Sequence, residues 1–410
     1  MTPRRVVVTG LGLVTPLAVG TEATWTGLLA GRVATGPVRS FDATRYRVDR
    51  GAEIDGFRPE EHLRRLDPAS VGRASQLAAV AARLALADAG LAADADPRAM
   101  PERCGVAMGT TSGEPAEIER FDDAWVAGAA AASDPRFVSR YPCHVIAQNV
   151  AREVGWRGPV AMLPNACAAG NYAVAYASEL LRSGRADRML AGGADIFSRI
   201  TYSGFARLGA VAPDRCRPFD RERKGMIPGE GAAVLVLETL EEARARGASI
   251  YAEVAGYGLS CDAHHMTGAQ PSGDGALRAM QLALAAAGAT AAEVSYVSAH
   301  GTGTPANDRV EALALQRLFG ENAAATPVSS IKSMIGHTMG AASAIEAAVC
   351  ALAVRHGWIP PTANFEAADD DCGLDFVPNT ARRHPVVLAM NNAYAFGGSN
   401  ASVLFRAVPA

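Results

Sequence analysis

Short β-branched runs alternate with alanine-rich helical stretches along all 410 residues, and the alternation repeats once. Candidate strands are 5–9, 105–108, 189–191, 233–238, 251–257, 296–299, 386–390 and 401–405. Candidate helices are 21–30, 73–89, 137–154, 171–182, 240–246, 274–287, 308–319 and 341–355. Such alternation specifies an α/β architecture. The halves also resemble each other. Val6-Val7-Val8-Thr9-Gly10-Leu11-Gly12 has a counterpart in Ala252-Glu253-Val254-Ala255-Gly256-Tyr257-Gly258. A loop holding Cys167 and a loop holding His337 each lead into an alanine-rich helix, then a strand and a glycine-rich turn. A repeat of this length predicts duplication of one α/β unit, with units 1–250 and 251–410.

The chemistry concentrates in three loops. Cys167 lies in Pro164-Asn165-Ala166-Cys167-Ala168-Ala169-Gly170, at the start of an apolar helix. The positive end of a helix favours a thiolate there. His300 lies in His300-Gly301-Thr302-Gly303-Thr304-Pro305, and His337 in Lys332-Ser333-Met334-Ile335-Gly336-His337. A cysteine and two histidines in small-residue loops predict a thiol nucleophile served by two imidazoles. The first half supplies the sulphur and the second half both rings.

Other classes are disfavoured. A net charge of −3 gives no footprint for nucleic acid. Seven scattered cysteines contain no CxxC pair, so neither a zinc site nor a disulfide framework is expected, and a reducing cytoplasm fits. Gly10, Gly12 and Pro16 interrupt the apolar N-terminal run, which reads as a buried strand and not as a signal peptide. No apolar stretch is long enough to span a membrane. Gly10-Leu11-Gly12 lacks the third glycine and acidic partner of a dinucleotide loop. There is no Walker loop, no metal-ligand cluster and no Gly-x-Ser-x-Gly elbow. Only Lys224 and Lys332 are lysine. Lys224 reads as a surface charge, whereas Lys332, beside the His337 loop, suits a tight site that needs a compact ammonium.

Taken in order, these motifs resemble the elongating β-ketoacyl-acyl carrier protein synthases of the thiolase superfamily. The resemblance runs through Val7-Val8-Thr9-Gly10-Leu11-Gly12, Asn165-Ala166-Cys167 and Arg217-Pro218-Phe219-Asp220. It continues through Gly229-Glu230-Gly231-Ala232, the two histidine motifs and Asn392-Ala393-Tyr394-Ala395-Phe396-Gly397-Gly398-Ser399-Asn400. It implies a duplicated, five-layered αβαβα thiolase-like subunit and a homodimer or a heterodimer with a ketosynthase-like chain. The implied reaction is decarboxylative Claisen condensation on phosphopantetheine thioesters of an acyl carrier protein, with no further cofactor and no metal.

The resemblance also implies roles. Cys167 is the nucleophile, and the amides of Cys167 and Phe396 form an oxyanion hole. His300 and His337 hold the malonyl thioester carbonyl. Lys332 pairs with Glu346 to orient His337, and Asp308 and Glu311 join that network. Thr302, Thr304 and Thr267 meet the pantetheine arm. Phe396 gates the acyl pocket, with Gly397 and Gly398 freeing its loop. Ser112 stands where relatives carry a bulky apolar residue at the subunit contact, which implies a roomier acyl pocket and favours polyketide or polyene synthesis over fatty-acid synthesis. Asn165, Ala168 and Ala169 depart from the usual residues flanking the cysteine. Arg64, Arg65 and Arg73 are candidates for an acidic carrier protein. The alternatives are a chain-length-determining partner subunit, which usually lacks the cysteine, and a coenzyme A-using thiolase-type condensing enzyme.

Overall fold

The computed structural model describes residues 4–91 and 100–409. The first half supplies strands β1 (Val6–Thr15), β2 (Cys104–Gly109), β3 (Val160–Leu163), β4 (Arg188–Asp195) and β5 (Gly231–Thr239). They lie side by side in the order β3-β2-β4-β5-β1. The second half supplies β6 (Ala252–Cys261), β7 (Tyr296–Ser298), β8 (Val328–Ser329), β9 (Leu388–Tyr394) and β10 (Ser399–Arg406). Their order, β8-β7-β9-β10-β6, is the same one, strand for strand. The sense matches too: two parallel pairings followed by two antiparallel ones in each half. The halves meet where Val7 and Val8 of β1 pair with Glu253 and Ala252 of β6.

Five helices complete the layers. They are α1 (Arg73–Asp88), α2 (Ala169–Arg182), α3 (Asp274–Ala287), α4 (Pro305–Phe319) and α5 (Ala342–His356). α2 and α5 pack on each other between the sheets, and α5 touches strands of both. Every residue of α5 from Ala342 to Ala353 is buried. A helix apolar all round belongs inside, and alanine keeps it thin enough to fit between two sheets. α1 covers the outer face of the first sheet, and α3, with α4 packed against it, that of the second, giving the layers α-β-α-β-α.

The repeated glycines have a packing cause. A Cβ on Gly12 would lie 1.9 Å from the Ala81 carbonyl oxygen of α1, and one on Gly10 would lie 2.3 Å from that of Ala85. Their twins behave alike: a Cβ on Gly258 would lie 2.0 Å from the Ala279 oxygen of α3, and one on Gly256 would lie 2.6 Å from that of Ala283. These glycines bring an outer helix down onto its strand.

Most strands and helices fall where the sequence places them. The helix expected over 137–154 divides at Pro142 into Phe137–Arg140 and Val145–Val154, because proline has no N–H to continue the helical ladder. The sequence reading passed over β3, β8 and the helices Pro115–Val126 and Arg199–Arg207. No helix among the described residues is long and apolar enough to cross a membrane.

Candidate active site

Two strained corners open the central helices. Ala166–Ala168 and Met339–Ala341 are single 3₁₀ turns, and α2 and α5 begin at the next residue. Ala166 (φ +49) and Met339 (φ +53) occupy the same left-handed conformation at equivalent positions. Alanine and methionine enter that region only under constraint. The corner before α2 presents Cys167. The matching residue before α5 is Gly340, whose amide donates to Asp195 Oδ2 at 2.7 Å. Asp195, the last residue of β4, also accepts from the Thr110 hydroxyl and the amides of Thr111 and Ser112.

The loop ahead of the second corner carries His337 back to the first. His337 Nε2 lies 3.2 Å from Cys167 Sγ. The amide of Met339 donates to His337 Nδ1 at 3.2 Å. That bond leaves the ring proton on Nε2, so the ring faces sulphur as a donor. The His300 ring meets the His337 ring edge to face, with centroids 5.5 Å apart. The sulphur and one nitrogen of each ring lie within 4.8 Å of one another. All three residues are buried. They are the described residues with soft donor atoms close enough to hold a metal ion, but a ring N–H pointed at the sulphur makes them a hydrogen-bonded set and not an open ligand cage.

Burial sets the protonation states. It pushes both imidazoles well below their ordinary range, and the positive charge of Lys332 acts in the same direction. Both rings are therefore held neutral. The expected resting thiolate is not found. Burial pushes the Cys167 thiol up to about 12, and Lys332 offsets only part of that. Desolvating an anion outweighs the field of a short helical start.

The supporting charges divide between the two histidines. Lys332 and Glu346 form a buried ion pair, each side chain 1% exposed. They do not hold the His337 ring, whose bonds go to Met339 and Cys167; their effect on the site is by charge. Glu311 takes the amides of His300 and Gly301, both at 2.8 Å. Burial pushes its carboxyl up to about 8 against those two amides. Asp308 takes the amides of Phe219 and Gly303. Both acids are buried and anchor the His300 loop, so the expected network around His337 is corrected on this point.

A cavity of about 120 Å³ joins these groups. Cys167, His300, His337, Thr302, Thr304, Thr267 and Phe396 all line it. The Thr302 and Thr304 hydroxyls bond each other at 2.8 Å. Phe396 is 43% exposed and leans on Phe205, with ring centroids 5.8 Å apart. Gly397 (φ +85) and Gly398 (φ +80) hold a turn that other residues rarely adopt. Around Phe396, the amides of Ala395, Gly397 and Gly398 are taken by Ser399, Met266 and Ala395 carbonyls. The sequence reading gave no role to Asp262, Asn400, Met226, Phe205 or Tyr394, which share this cavity. Asp262 latches the Phe396 loop: its amide donates to the Gly398 carbonyl and its carboxylate accepts from Asn400 and Gln270. Asn400 closes the last of the motifs quoted above, which was the available signal for it.

Ser112 and the three arginines are not among the residues that line this cavity. The Ser112 hydroxyl lies 3.2 Å from that of Thr201. Arg73 is committed to Glu230 at 2.8 Å, while Arg64 and Arg65 are exposed. A wider depression of about 560 Å³ contains Arg39, Glu53, Arg73, Arg199 and Glu230. No cysteine or histidine is among its lining residues, and these charges are paired with neighbouring side chains.

Comparison with known proteins gives the same picture. Residues 3–243 match the family described as beta-ketoacyl synthase, N-terminal domain, and residues 251–366 match its C-terminal domain. The chain is 43% identical to the tetracenomycin polyketide synthase ketoacyl synthase alpha subunit of Streptomyces glaucescens, over 98% of this chain and 97% of that one. It is 37% identical to 3-oxoacyl-[acyl-carrier-protein] synthase 2 of Coxiella burnetii, over 100% of both. The solved ishigamide ketosynthase/chain length factor superposes with a TM-score of 0.95 at 42% identity, covering 100% of each chain. With its duplicated sheets, its Cys167 corner and two buried imidazoles, this chain belongs to the β-ketoacyl synthase family.

Proposed function

We propose that this chain is a catalytic ketosynthase that extends an acyl chain by two carbons. It condenses a Cys167-bound acyl group with malonyl-acyl carrier protein and yields a 3-oxoacyl-acyl carrier protein. The observation that carries this reading is the 3.2 Å approach of His337 Nε2 to Cys167 Sγ with the His300 ring alongside.

In the first step Cys167 Sγ attacks the thioester carbonyl and the pantetheine thiol leaves. The amides of Cys167 and Phe396 face the oxyanion. The Cys167 proton passes to the departing pantetheine sulphur, which leaves as the thiol, and the His337 N–H stabilises the Cys167 sulphur as charge develops. In the second step the malonyl C–C bond breaks, CO2 leaves and the electron pair moves onto the thioester oxygen. Neutral His300 and His337 donate to that oxygen. The carbanion then attacks the acyl carbonyl, and the Cys167 thiolate departs. Thr302, Thr304 and Thr267 guide the pantetheine arm, and Phe396 closes the acyl side. Lys332 with Glu346 sets the local charge, and Asp308 with Glu311 fixes the His300 loop.

Polyketide assembly is the setting that the tetracenomycin polyketide synthase relative favours by name. We assign an acyl carrier protein as donor and a second ketosynthase-like subunit as partner. Among the described residues the outer edge of β3 is unpaired, and Trp125, Val126 and Val138 are exposed in the insertion between β2 and β3. We divide the chain near residue 250 and place it in the cytoplasm, where its seven cysteines stay reduced. A chain-length factor that does no chemistry would not need a thiol faced by two neutral rings. The test is intact mass after incubation with acyl-carrier proteins. The parent gains one acyl group and Cys167→Ala gains none; acylation that persists in the variant refutes the assignment.

A further inference from the structure

Two polar atoms in the walls of the cavity have no hydrogen-bond partner: His300 Nδ1 and the Tyr394 hydroxyl. Both residues are at least nine-tenths buried, and their rings meet edge to face with centroids 5.8 Å apart. A buried polar group without a partner costs about 1–3 kcal/mol. Here the two are complementary, since a neutral phenol donates and a ring nitrogen accepts. His337 differs, because its Nδ1 already holds the Met339 amide. Glu311 fixes the backbone of His300 and leaves its ring free of any tautomer-setting bond.

The duplication shows where the missing partner belongs. Asp195 ends β4 and ties together the loop after β2 and the corner at Gly340. Tyr394 ends the matching strand β9. It stands against the loop after β7, which carries His300, and shares the cavity with the Cys167 corner. Asp195 commits its oxygens to four donors, whereas the Tyr394 hydroxyl is uncommitted.

We infer that Tyr394 is a positioning residue for His300: its O–H donates to His300 Nδ1 in the working enzyme and keeps the ring proton on Nε2, facing the substrate. The opposite tautomer would turn a lone pair towards the developing enolate and repel it. The bond therefore serves the condensation half-reaction, while acyl loading relies on Cys167 and His337. The functional part of this inference rests on the ketosynthase reading; the hydrogen bond itself does not.

The experiment is two-bond nitrogen–proton NMR on the full-length protein labelled with ¹⁵N-histidine, with His300 identified by the signals lost in His300→Asn. In the parent, His300 should show a protonated Nε2 and an Nδ1 shifted as an acceptor. Tyr394→Phe should give mixed tautomers. It should also lower kcat for malonyl-carrier-protein condensation about tenfold at unchanged KM, the worth of one hydrogen bond to a buried group, with acyl loading altered less than twofold. A parent His300 protonated at Nδ1 overturns the inference, as does a Tyr394→Phe enzyme with the parent's tautomer and kcat. If that variant does not fold, the parent spectrum alone decides. Should the chain prove unable to condense substrates, the spectrum still reports on the bond, so the two readings fail separately.

Discussion

Replacing Lys332 with methionine keeps most of the side-chain volume and removes the buried cation. Glu346 then stays behind as a carboxylate with its side chain 1% exposed and no counter-charge. Breaking one partner of a buried pair costs about 3–5 kcal/mol. For 410 residues, an unfolding entropy of about 2.1 cal/mol/K per residue converts this to a Tm lower by roughly 3–6 °C. The deficit has a definite pH sign. Burial raises the Glu346 carboxyl above its ordinary value, and Lys332 pulls it back down. Without Lys332 the folded state holds a proton that the unfolded state releases, so the variant regains stability as pH falls. Melting at pH 8 and pH 5.5 should show the larger loss at pH 8. Lys332→Met combined with Glu346→Leu should recover most of it, because an apolar pair replaces an ion pair at little cost. A second readout is the sulphur. Lys332 draws the Cys167 thiol downward, so alkylation by iodoacetamide should slow about tenfold for each unit of further rise. A single variant that melts within 1 °C of the parent at pH 8 (taken as about 1 kcal/mol) and alkylates at the parental rate would refute the argument.

Further outcomes follow from other parts of the site. Both imidazoles titrate well below their ordinary value when folded. Their contribution to stability is therefore full above about pH 6.5 and lost as pH falls below it, by up to about 2.7 kcal/mol per pH unit for the pair. Urea unfolding of the parent and of His300→Asn/His337→Asn at pH 7.5, 6 and 5 should show that extra slope in the parent only; parallel curves would mean the rings are hydrated. Gly12→Ala and Gly258→Ala each push a methyl group against a helix carbonyl oxygen and should each cost about 1–3 kcal/mol, by matching shifts in the urea midpoint. Asp262→Ala removes the latch of the Phe396 loop; faster chymotryptic cleavage at Phe396 and slower acyl loading are expected, and parental rates for both would assign the latch elsewhere.

Much of this was legible in the sequence because packing leaves a mark on residue choice. The glycine pairs 10/12 and 256/258 recur because two helices approach two strands equally closely, and the alanine runs recur because two helices share one thin layer. Convergence of Cys167, His300 and His337 was readable from their loops. Solvation was not. The helix-start argument for a thiolate considers only a local field, whereas the state of Cys167 depends on the complete desolvation imposed by elements hundreds of residues away. Asp308 and Glu311 were assigned by resemblance to the network around His337, because sequence distance does not show that their carboxylates fold back onto the amides of the His300 loop. Tyr394 passed unnoticed because a tyrosine beside Phe396 reads as ordinary core until its hydroxyl is seen to be unpaired.

The corner at Gly340 has a historical consequence. A gene that doubles begins with two equivalent elbows, either of which can learn chemistry. Here one elbow has been sealed: a Cβ on Gly340 would fall 2.6 Å from Asp195 Oδ2 and 2.5 Å from the Thr110 carbonyl carbon. Asp195 has become the mortar joining the siblings. A designer wishing to arm the silent elbow would first have to dismantle that joint, and in doing so would loosen the loop that carries His337.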